Sequence, residues 1–100
     1  MTPEDLSELA EALEDACEEW IRTGGRIAPR VYLRNTGHEC CPFGALTQSR
    51  FPTCAATGAR LGIDHILVAD FMDGFDNGGH RGTAASALGR LFRERYVEGR

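Results

Sequence analysis

Residues 2–25 read TPEDLSELAEALEDACEEWIRTGG, and this stretch predicts the first and clearest element of the fold. Its apolar residues recur at spacings of three and four, which is the pattern of an amphipathic α-helix. These residues are Leu6, Leu9, Ala10, Leu13, Ala16, Cys17, Trp20 and Ile21. Thr2 suits the N-cap and Pro3 the first helical position, with Asp5 as the capping-box acid. The Thr23-Gly24-Gly25 run predicts the end of the helix.

After residue 25 the sequence predicts one extended segment and four shorter helices. Residues 26–34, RIAPRVYLR, favour extended structure because Pro29 disfavours a helix and Val31-Tyr32-Leu33 has high strand propensity. Breaks are predicted at Asn35-Thr36-Gly37, at Phe51-Pro52-Thr53 and in a glycine-rich loop over 73–82. The helices are expected over 42 to about 48, over 54–61, from an Asp64 N-cap to the glycine-rich loop, and from a Thr83 N-cap to about 97.

Apolar residues of the last two helices are expected to complete the core. They are Ile66, Leu67, Ala69, Phe71 and Met72 in one helix, and Ala84, Ala87, Leu88, Leu91 and Phe92 in the other. A chain of 100 residues has room for one hydrophobic core. The sequence therefore predicts a mainly α fold, a single small bundle of about five helices over residues 1–100 with a short extended segment near 26–34.

Charge is distributed unevenly along the chain. Residues 1–21 hold eight acidic residues and no basic one, whereas residues 22–100 hold seven acidic residues and eleven arginines, for a net charge of −4. Because the pI is about 5.3 and no basic stripe is present, direct nucleic-acid binding is disfavoured. No apolar run reaches membrane-spanning length, and the acidic N-terminus does not resemble a signal peptide. We therefore expect a cytoplasmic protein with no membrane partner.

The polar face of the first helix is the leading functional feature. Acidic residues within about 100° of one another on the helical wheel form this face. They are Glu4, Glu8, Glu11, Asp15, Glu18 and Glu19. From Glu4 to Glu18 the helix rises about 21 Å. The charges therefore fall about every 4 Å, close to the ~3.4 Å spacing along one DNA strand.

Three interpretations of this acidic face stay open. It is simply solvated, or it is neutralised by Arg90, Arg93 and Arg95 of the last helix, or it imitates nucleic acid on a partner with a basic surface. Like-charge neighbours such as Glu11 and Asp15 cost about 0.2–0.5 kcal/mol per pair, whichever interpretation holds. For the third interpretation the candidate partner contacts are Glu8, Glu11, Glu14, Asp15, Glu18, Glu19, Phe75 and Asp76. If Phe75 is buried instead, it anchors its loop on the core.

The cysteines and histidines allow two weaker hypotheses. The first is a zinc site with donors from His38, Cys40, Cys41 and Cys54, completed by His65 or His80, although no C-x-x-C spacing occurs. The second is a Cys41 nucleophile with His38 as base, but no oxyanion-stabilising device accompanies them. The 73–82 loop lacks the ligands of an EF-hand and the lysine of a P-loop. We therefore expect no catalysis, no cofactor and no metal, with the zinc site kept as the alternative.

Three short motifs carry a family resemblance. Cys41-Pro-Phe-Gly-Ala-Leu46, Leu61-Gly-Ile63 and Asp76-Asn77 before the last helix resemble a pattern in small uncharacterised helical proteins of high-GC actinobacteria and their phages. In those proteins the turn reads asparagine-aspartate, whereas here it reads Asp76-Asn77, and residues 47–53 interrupt the helix. The resemblance extends over part of the chain only. It implies an all-α fold and a phage or mobile-element origin, and it implies no activity.

The sequence thus predicts a non-enzymatic acidic interaction protein that is a monomer or a homodimer. Its most specific form is a phage-encoded inhibitor of the anti-CRISPR kind, which blocks a basic, nucleic-acid-binding surface of a host complex. One alternative is a small zinc-stabilised domain that uses the His38, Cys40, Cys41 and Cys54 cluster. Another alternative is a homodimeric helical domain that pairs through surplus apolar surface on the first or last helix.

Overall fold

A computed structural model describes residues 3–31, 38–48 and 53–99, and it leaves the side chains of residues 3–5 undescribed. The mainly α prediction is confirmed, because five α-helices and one two-stranded sheet account for most of the described residues. In chain order the elements are α1 Pro3–Arg22, β1 Arg26–Ile27, β2 Glu39–Cys40, α2 Pro42–Thr47, α3 Cys54–Leu61, α4 His65–Asn77 and α5 Ala84–Arg93, with a π-helical turn over Glu94–Glu98.

The chain divides into two compact units. The first, Met1–Pro52, contains α1, the sheet and α2, and the second, Thr53–Arg100, contains the remaining helices. Each unit is described by itself below. The single domain over residues 1–100 stays a prediction.

Helix α1 buries the face that its sequence predicts. Leu13 and Cys17 are completely buried at the centre of that face, and the polar positions opposite them are exposed. Ile21 departs from the prediction, because 43% of its surface is exposed one residue before the helix ends. The predicted N-terminal cap depends on Thr2 and the Asp5 side chain, which lie outside the described residues.

Trp20 fixes the way the chain leaves α1. Its indole Nε1 donates a hydrogen bond to the carbonyl oxygen of Arg26 at 3.1 Å. The ring also lies so close to Gly25 that a Cβ there would sit 2.2 Å from Trp20 Cε2. Gly24, with φ +94°, makes the turn that the sequence predicts. Only glycine fits at position 25, so the Trp20 ring and the start of β1 hold one another in place.

The extended segment is shorter than predicted. Within the described residues it amounts to a parallel pair in which Arg26 faces Glu39 and Ile27 faces Cys40. The amide of Ala28 extends the pairing by donating to the carbonyl of Cys40 at 3.0 Å. The predicted strand residues 32–34 and the turn at 35–37 lie outside the described residues.

Helix α2 follows β2 directly and packs on α1. Cys41 is its N-cap, and the Cys41 Sγ accepts a hydrogen bond from the Gly44 amide at 3.4 Å. Pro42 occupies the first turn, as predicted, and Phe43 is completely buried. Gln48 ends the helix in the left-handed conformation at φ 54°.

The predicted caps of α4 and α5 are confirmed, and α3 has a threonine cap that was not predicted. Thr53, Asp64 and Thr83 each accept a hydrogen bond from a backbone amide of the first turn. Helix α4, however, continues through Asn77, so the predicted loop over 73–82 is wrong in its first half. Gly74 lies inside the helix rather than in a turn, and Gly78 is the left-handed C-cap at φ 66°.

The buried face of α5 differs from the predicted one. Its buried residues are Ala85, Ser86, Gly89 and Phe92, and 60% of the Leu91 surface is exposed. Ile66 of α4 is also exposed, by 56%. The reason is close helix packing: a Cβ at Gly89 would lie 2.1 Å from the carbonyl oxygen of Phe71. Small residues therefore occupy the closest part of the α4–α5 contact, and Leu91 turns away from it, whereas Phe92 packs on α4.

Aromatic rings fill the core next to this contact. The Phe71 and Phe92 rings meet edge to face with centroids 5.4 Å apart, and Phe92 continues to Tyr96 at 5.6 Å. Phe75 stacks with Phe71 at 6.3 Å and is completely buried. The second unit therefore has an aromatic core of its own.

Candidate functional site

The acidic face of α1 is the leading candidate site. We use this name for Glu8, Glu11, Glu14, Asp15, Glu18 and Glu19. Glu14 is half-buried, and the other five side chains are exposed. These six carboxylates span about 16 Å of the helix axis, an average of about one charge per 3 Å. This set has Glu14 in place of Glu4, whose side chain is not described, so its average spacing is shorter than the value of about 4 Å expected for the predicted face.

The carboxylates of the acidic face differ in how they are paired. Glu19 forms a salt bridge with Arg22 one turn further on. Glu14 and Glu18 also have interactions of their own. For Glu8, Glu11 and Asp15, the described residues provide no hydrogen bond and no ion pair. These three form the part of the face that is unneutralised within the described chain.

Arg90 and Arg93 were considered as counter-ions of the acidic face, and the structure shows partners for both within their own unit. Arg90 Nη1 donates to the Gly79 carbonyl at 3.0 Å, and Arg93 Nη1 donates to the carbonyls of Phe75 and Asp76 at 2.8 and 2.9 Å. These hydrogen bonds satisfy carbonyl groups at the C-terminal end of α4. The two guanidinium groups are therefore engaged within their own unit.

Arg93 has a second partner in that unit, and Arg95 contacts an aromatic ring. Arg93 Nε also pairs with Glu98 at 3.1 Å, so its guanidinium has partners on both sides. Arg95 lies over the ring of Tyr96, with its Cζ 5.3 Å from the centroid. Arg95, the third arginine considered as a counter-ion of the acidic face, is exposed.

The prediction that Phe75 contacts a partner is wrong. It lies inside α4 and is completely buried, so it packs in the core and has no surface to offer a partner. Asp76 is half-buried beside it. Asp76 acts on the Cys54 thiol, whose pKa it helps to raise. The sequence predicted a loop at both residues, whereas α4 continues through them.

The surroundings of the cysteines give little support to a cysteine nucleophile. Cys17, Cys40 and Cys41 are buried thiols, and the Cys41 sulfur already accepts the Gly44 amide hydrogen. Cys54 is half-buried, and burial raises the pKa of its thiol, with the Asp76 carboxylate adding to the increase and Arg81 opposing it. A thiol with a raised pKa carries less thiolate at neutral pH, which is the reverse of what a nucleophile needs.

The zinc hypothesis is not supported by the described residues. In the part of the chain that the structure covers, no three His, Cys, Asp or Glu side chains are grouped so that they could hold a metal ion. His38 is exposed, whereas Cys40 and Cys41 are buried. The sequence places these residues close together along the chain, but the fold does not bring them into a ligand set.

A groove at the end of the acidic face was not predicted. It lies between α1 and α2 in the first unit and has a volume of about 340 Å³. Its described lining residues are Ala16, Glu19, Trp20, Thr23, Ala45, Leu46 and Gln48. The sequence assigned Trp20 to the core, yet the residue is only half-buried. The available signal was a large aromatic residue directly after Glu19, at the edge of the apolar face.

A polar cluster at the α4–α5 corner was also missed. Asp70 is buried and accepts hydrogen bonds from Arg81 Nη1 at 3.2 Å and Thr83 Oγ1 at 3.1 Å. Ser86 Oγ accepts from the Arg81 amide and donates to the Gly79 carbonyl, both at 3.2 Å. The cluster fixes the connection between the two helices. All of its polar groups are used in that role, so we treat it as structural.

Comparison with protein-family models, with curated proteins and with solved structures found no match to this chain. Among the residues that the structure describes, no helix combines the length and the apolar character needed to span a membrane. The functional conclusion therefore depends on the surface of the molecule.

Proposed function

We propose that this protein is a non-enzymatic ligand for a protein with a basic, nucleic-acid-binding surface, and that the acidic face of α1 is its contact surface. The observation that carries the proposal is the group Glu8, Glu11 and Asp15, which are exposed and unpaired within the described chain. Three like charges on adjacent helical turns reduce the stability of an isolated helix. A basic partner would relieve this repulsion on binding.

The spacing of the charges supports a surface that normally holds nucleic acid. About one carboxylate per 3 Å along α1 is close to the ~3.4 Å per phosphate of one DNA strand. A row of arginine or lysine side chains that is placed to meet phosphates would therefore also meet these carboxylates. The rigid helix fixes the backbone positions of these residues before binding, which lowers the entropy cost of association.

The role proposed for such a ligand is inhibition. A small acidic protein that occupies a nucleic-acid groove competes directly with the nucleic acid. A phage-encoded inhibitor of a host defence complex, of the anti-CRISPR kind, is the specific form that we propose. Its support is the concentration of eight acidic residues in residues 1–21.

Capture from a bacterial lysate tests the proposed surface. Tagged wild type and a Glu11→Arg, Asp15→Arg, Glu18→Arg variant are incubated with a lysate of a high-GC bacterium at low and at high salt. We expect wild type to retain a nucleic-acid-binding protein, salt to weaken the retention, and the variant to lose it. Circular dichroism first establishes that the variant is folded. Equal retention of the same protein by both would show that the acidic face is only solvated.

A matched control separates position from overall charge. Glu94 is an exposed acid in the π-helical turn of the second unit. Glu94→Arg and Glu11→Arg change the net charge by the same amount. The proposal predicts that only Glu11→Arg weakens capture. Equal weakening by both would mean that net charge, and not the acidic face, attracts the partner.

Self-association is a second proposal, which a different observation favours. Leu91 of α5 and Ile66 of α4 are large apolar residues with more than half of their surface exposed. Exposed apolar surface often marks a contact between proteins where it forms a contiguous patch, and the homodimer proposal requires that these two residues belong to one. Light scattering at two concentrations tests it: a mass that rises with concentration, and returns to the monomer value in Leu91→Glu, supports a homodimer. A constant monomer mass excludes it.

A further inference from the structure

The groove between α1 and α2 has the lining expected of a site for one cationic side chain. Trp20 supplies an aromatic ring, and Glu19 supplies a carboxylate at the end of the acidic face. Ala16, Ala45 and Leu46 supply apolar surface. None of the described lining residues is basic. Its volume of about 340 Å³ is at the lower end of the roughly 300–1,000 Å³ of small-molecule pockets.

We propose that this groove binds an arginine side chain of the basic partner. The inference rests on the proposed function, because it identifies the anchor point of the same contact surface. A guanidinium group is planar, stacks on an indole ring and pairs with a carboxylate. The aliphatic part of an arginine side chain packs against apolar surface such as that of Ala45 and Leu46. Aromatic and arginine contacts of this type often dominate the energy of an interface.

Trp20 is held in place before any partner arrives. The indole N–H already donates to the Arg26 carbonyl at 3.1 Å, so its hydrogen-bonding group is satisfied. Gly25 allows the ring to lie directly against the backbone. The ring that lines the groove is therefore already positioned, so binding beside it has little side-chain entropy to remove.

Arg22 of the same chain competes for Glu19. The two side chains form a salt bridge, and both are largely exposed. An incoming guanidinium must share or replace this partner. Because an exposed ion pair contributes little to stability, the exchange is inexpensive. Removal of Arg22 should therefore strengthen binding in the groove, whereas loss of a basic residue normally leaves a fold or an interface unchanged or weaker.

The test uses small probes and the indole signal. The chain has one tryptophan, so the indole N–H gives one resonance in an NMR spectrum. Nα-acetylarginine amide is titrated into wild type. The comparison probes are Nα-acetylcitrulline amide, which has a similar shape without the charge, and Nα-acetyllysine amide, which keeps the side-chain ammonium group. We expect a saturable shift of the Trp20 resonance with the arginine probe, a weaker response to lysine and none to citrulline. An equal response to arginine and citrulline, or to arginine and lysine, would overturn the proposal.

Two variants place the arginine probe in the groove. Glu19→Gln keeps the size of the side chain and should weaken the probe about five-fold, as expected for the loss of one charge-assisted contact. Arg22→Ala should tighten it. Both changes lie at exposed positions, so folding is not at risk. An unchanged affinity in Glu19→Gln, or weaker binding in Arg22→Ala, contradicts the assignment.

The groove and the acidic face can fail separately. A Glu8→Gln, Glu11→Gln, Asp15→Asn variant leaves every described lining residue of the groove in place. It should bind the arginine probe nearly as well as wild type and yet lose the partner protein. Capture of the partner without any response to the probe would refute the groove and leave the proposed function standing. A normal probe response without any partner would refute the proposed function alone.

Discussion

Gly74 of α4 lies directly against the carbonyl oxygen of Ser86 on α5, and a Cβ at position 74 would sit 2.3 Å from that oxygen. A glycine inside a helix normally costs about 1 kcal/mol relative to alanine. Here the glycine is required, because backbone atoms of the neighbouring helix fill the space that a methyl group would need. The contact explains why a helix continues through a residue that usually interrupts one.

Gly74→Ala should therefore destabilise the protein. Helix propensity alone would make the substitution stabilising, so the sign of the change separates the two effects. We expect the overpacking to dominate and the free energy of unfolding to fall by about 1–3 kcal/mol. Urea denaturation measures it, with the exposed-face change Ser7→Ala on α1 as a control for propensity. A Gly74→Ala protein as stable as wild type would contradict the close approach of the helices.

Asp70 should contribute more to stability than its neighbour Asp73. The Asp70 side chain is only 11% exposed and accepts from both Arg81 and Thr83, whereas the Asp73 side chain is 24% exposed and contacts Arg81 at 3.4 Å. Asp70→Asn removes the charge from a buried, hydrogen-bonded group and should cost about 1–3 kcal/mol. Asp73→Asn should cost less. Thermal unfolding of both variants checks the order, and a larger loss for Asp73→Asn would be inconsistent with it.

These two contacts show where prediction from sequence ends. The wheel pattern of α1 predicted its buried face well, because apolar residues there mark burial directly. On α5 the same reasoning selected Leu91, which is exposed, since the buried face is determined by the small residues Ser86 and Gly89. Close packing between two helices depends on both helices at once, and the periodicity of one helix does not contain it.

The candidate site divides in the same way. The charges of the acidic face are a local property of one helix, so their exposure followed from the sequence. The groove is not local, because Trp20 meets Leu46 only once α2 packs on α1. The zinc hypothesis failed for a related reason: closeness along the chain did not make His38, Cys40 and Cys54 a ligand set in the fold.

Neutralising one charge on the acidic face should stabilise the free protein while it weakens binding. Glu11 lies three residues from Glu8 and from Glu14 and four from Asp15, so Glu11→Gln removes three repulsive pairs. We expect a gain of about 0.3–1 kcal/mol at low salt, which decreases as salt screens the charges. Glu94→Gln serves as the control. A loss of stability in Glu11→Gln would indicate an attractive interaction at this position and would count against an unsatisfied acidic face.

Cys54 should react slowly with alkylating reagents, and its rate should respond to Asp76. Burial and the Asp76 carboxylate raise the pKa of the Cys54 thiol above its ordinary value, so little thiolate is present at neutral pH. Asp76→Asn removes the negative charge, lowers the pKa and should speed alkylation by iodoacetamide. Arg81→Gln removes the opposing cation and should slow it. Mass spectrometry across a pH series follows both, and identical rates in the two variants would exclude this electrostatic coupling.

The raised pKa of the Cys54 thiol also makes the stability of the fold depend on pH in a defined direction. Below the ordinary pKa of a cysteine the thiol is protonated in both the folded and the unfolded chain, and stability does not depend on it. As pH rises above that value, the unfolded chain releases its proton first, so stability falls through the alkaline range. Cys54→Ser should flatten this part of the pH profile. An unchanged alkaline slope in Cys54→Ser would assign the pH dependence to other groups.

The central claim is that the acidic face of α1 takes the place of nucleic acid on a basic protein surface. Its most direct test is displacement of a labelled oligonucleotide from the captured and purified partner, with wild type, Glu11→Arg and Glu94→Arg compared at equal concentrations. We predict competitive displacement by wild type and Glu94→Arg, clearly reduced displacement by Glu11→Arg, and a weaker effect for all three as salt increases. If the partner holds the oligonucleotide and the wild-type chain at the same time, the claim is contradicted.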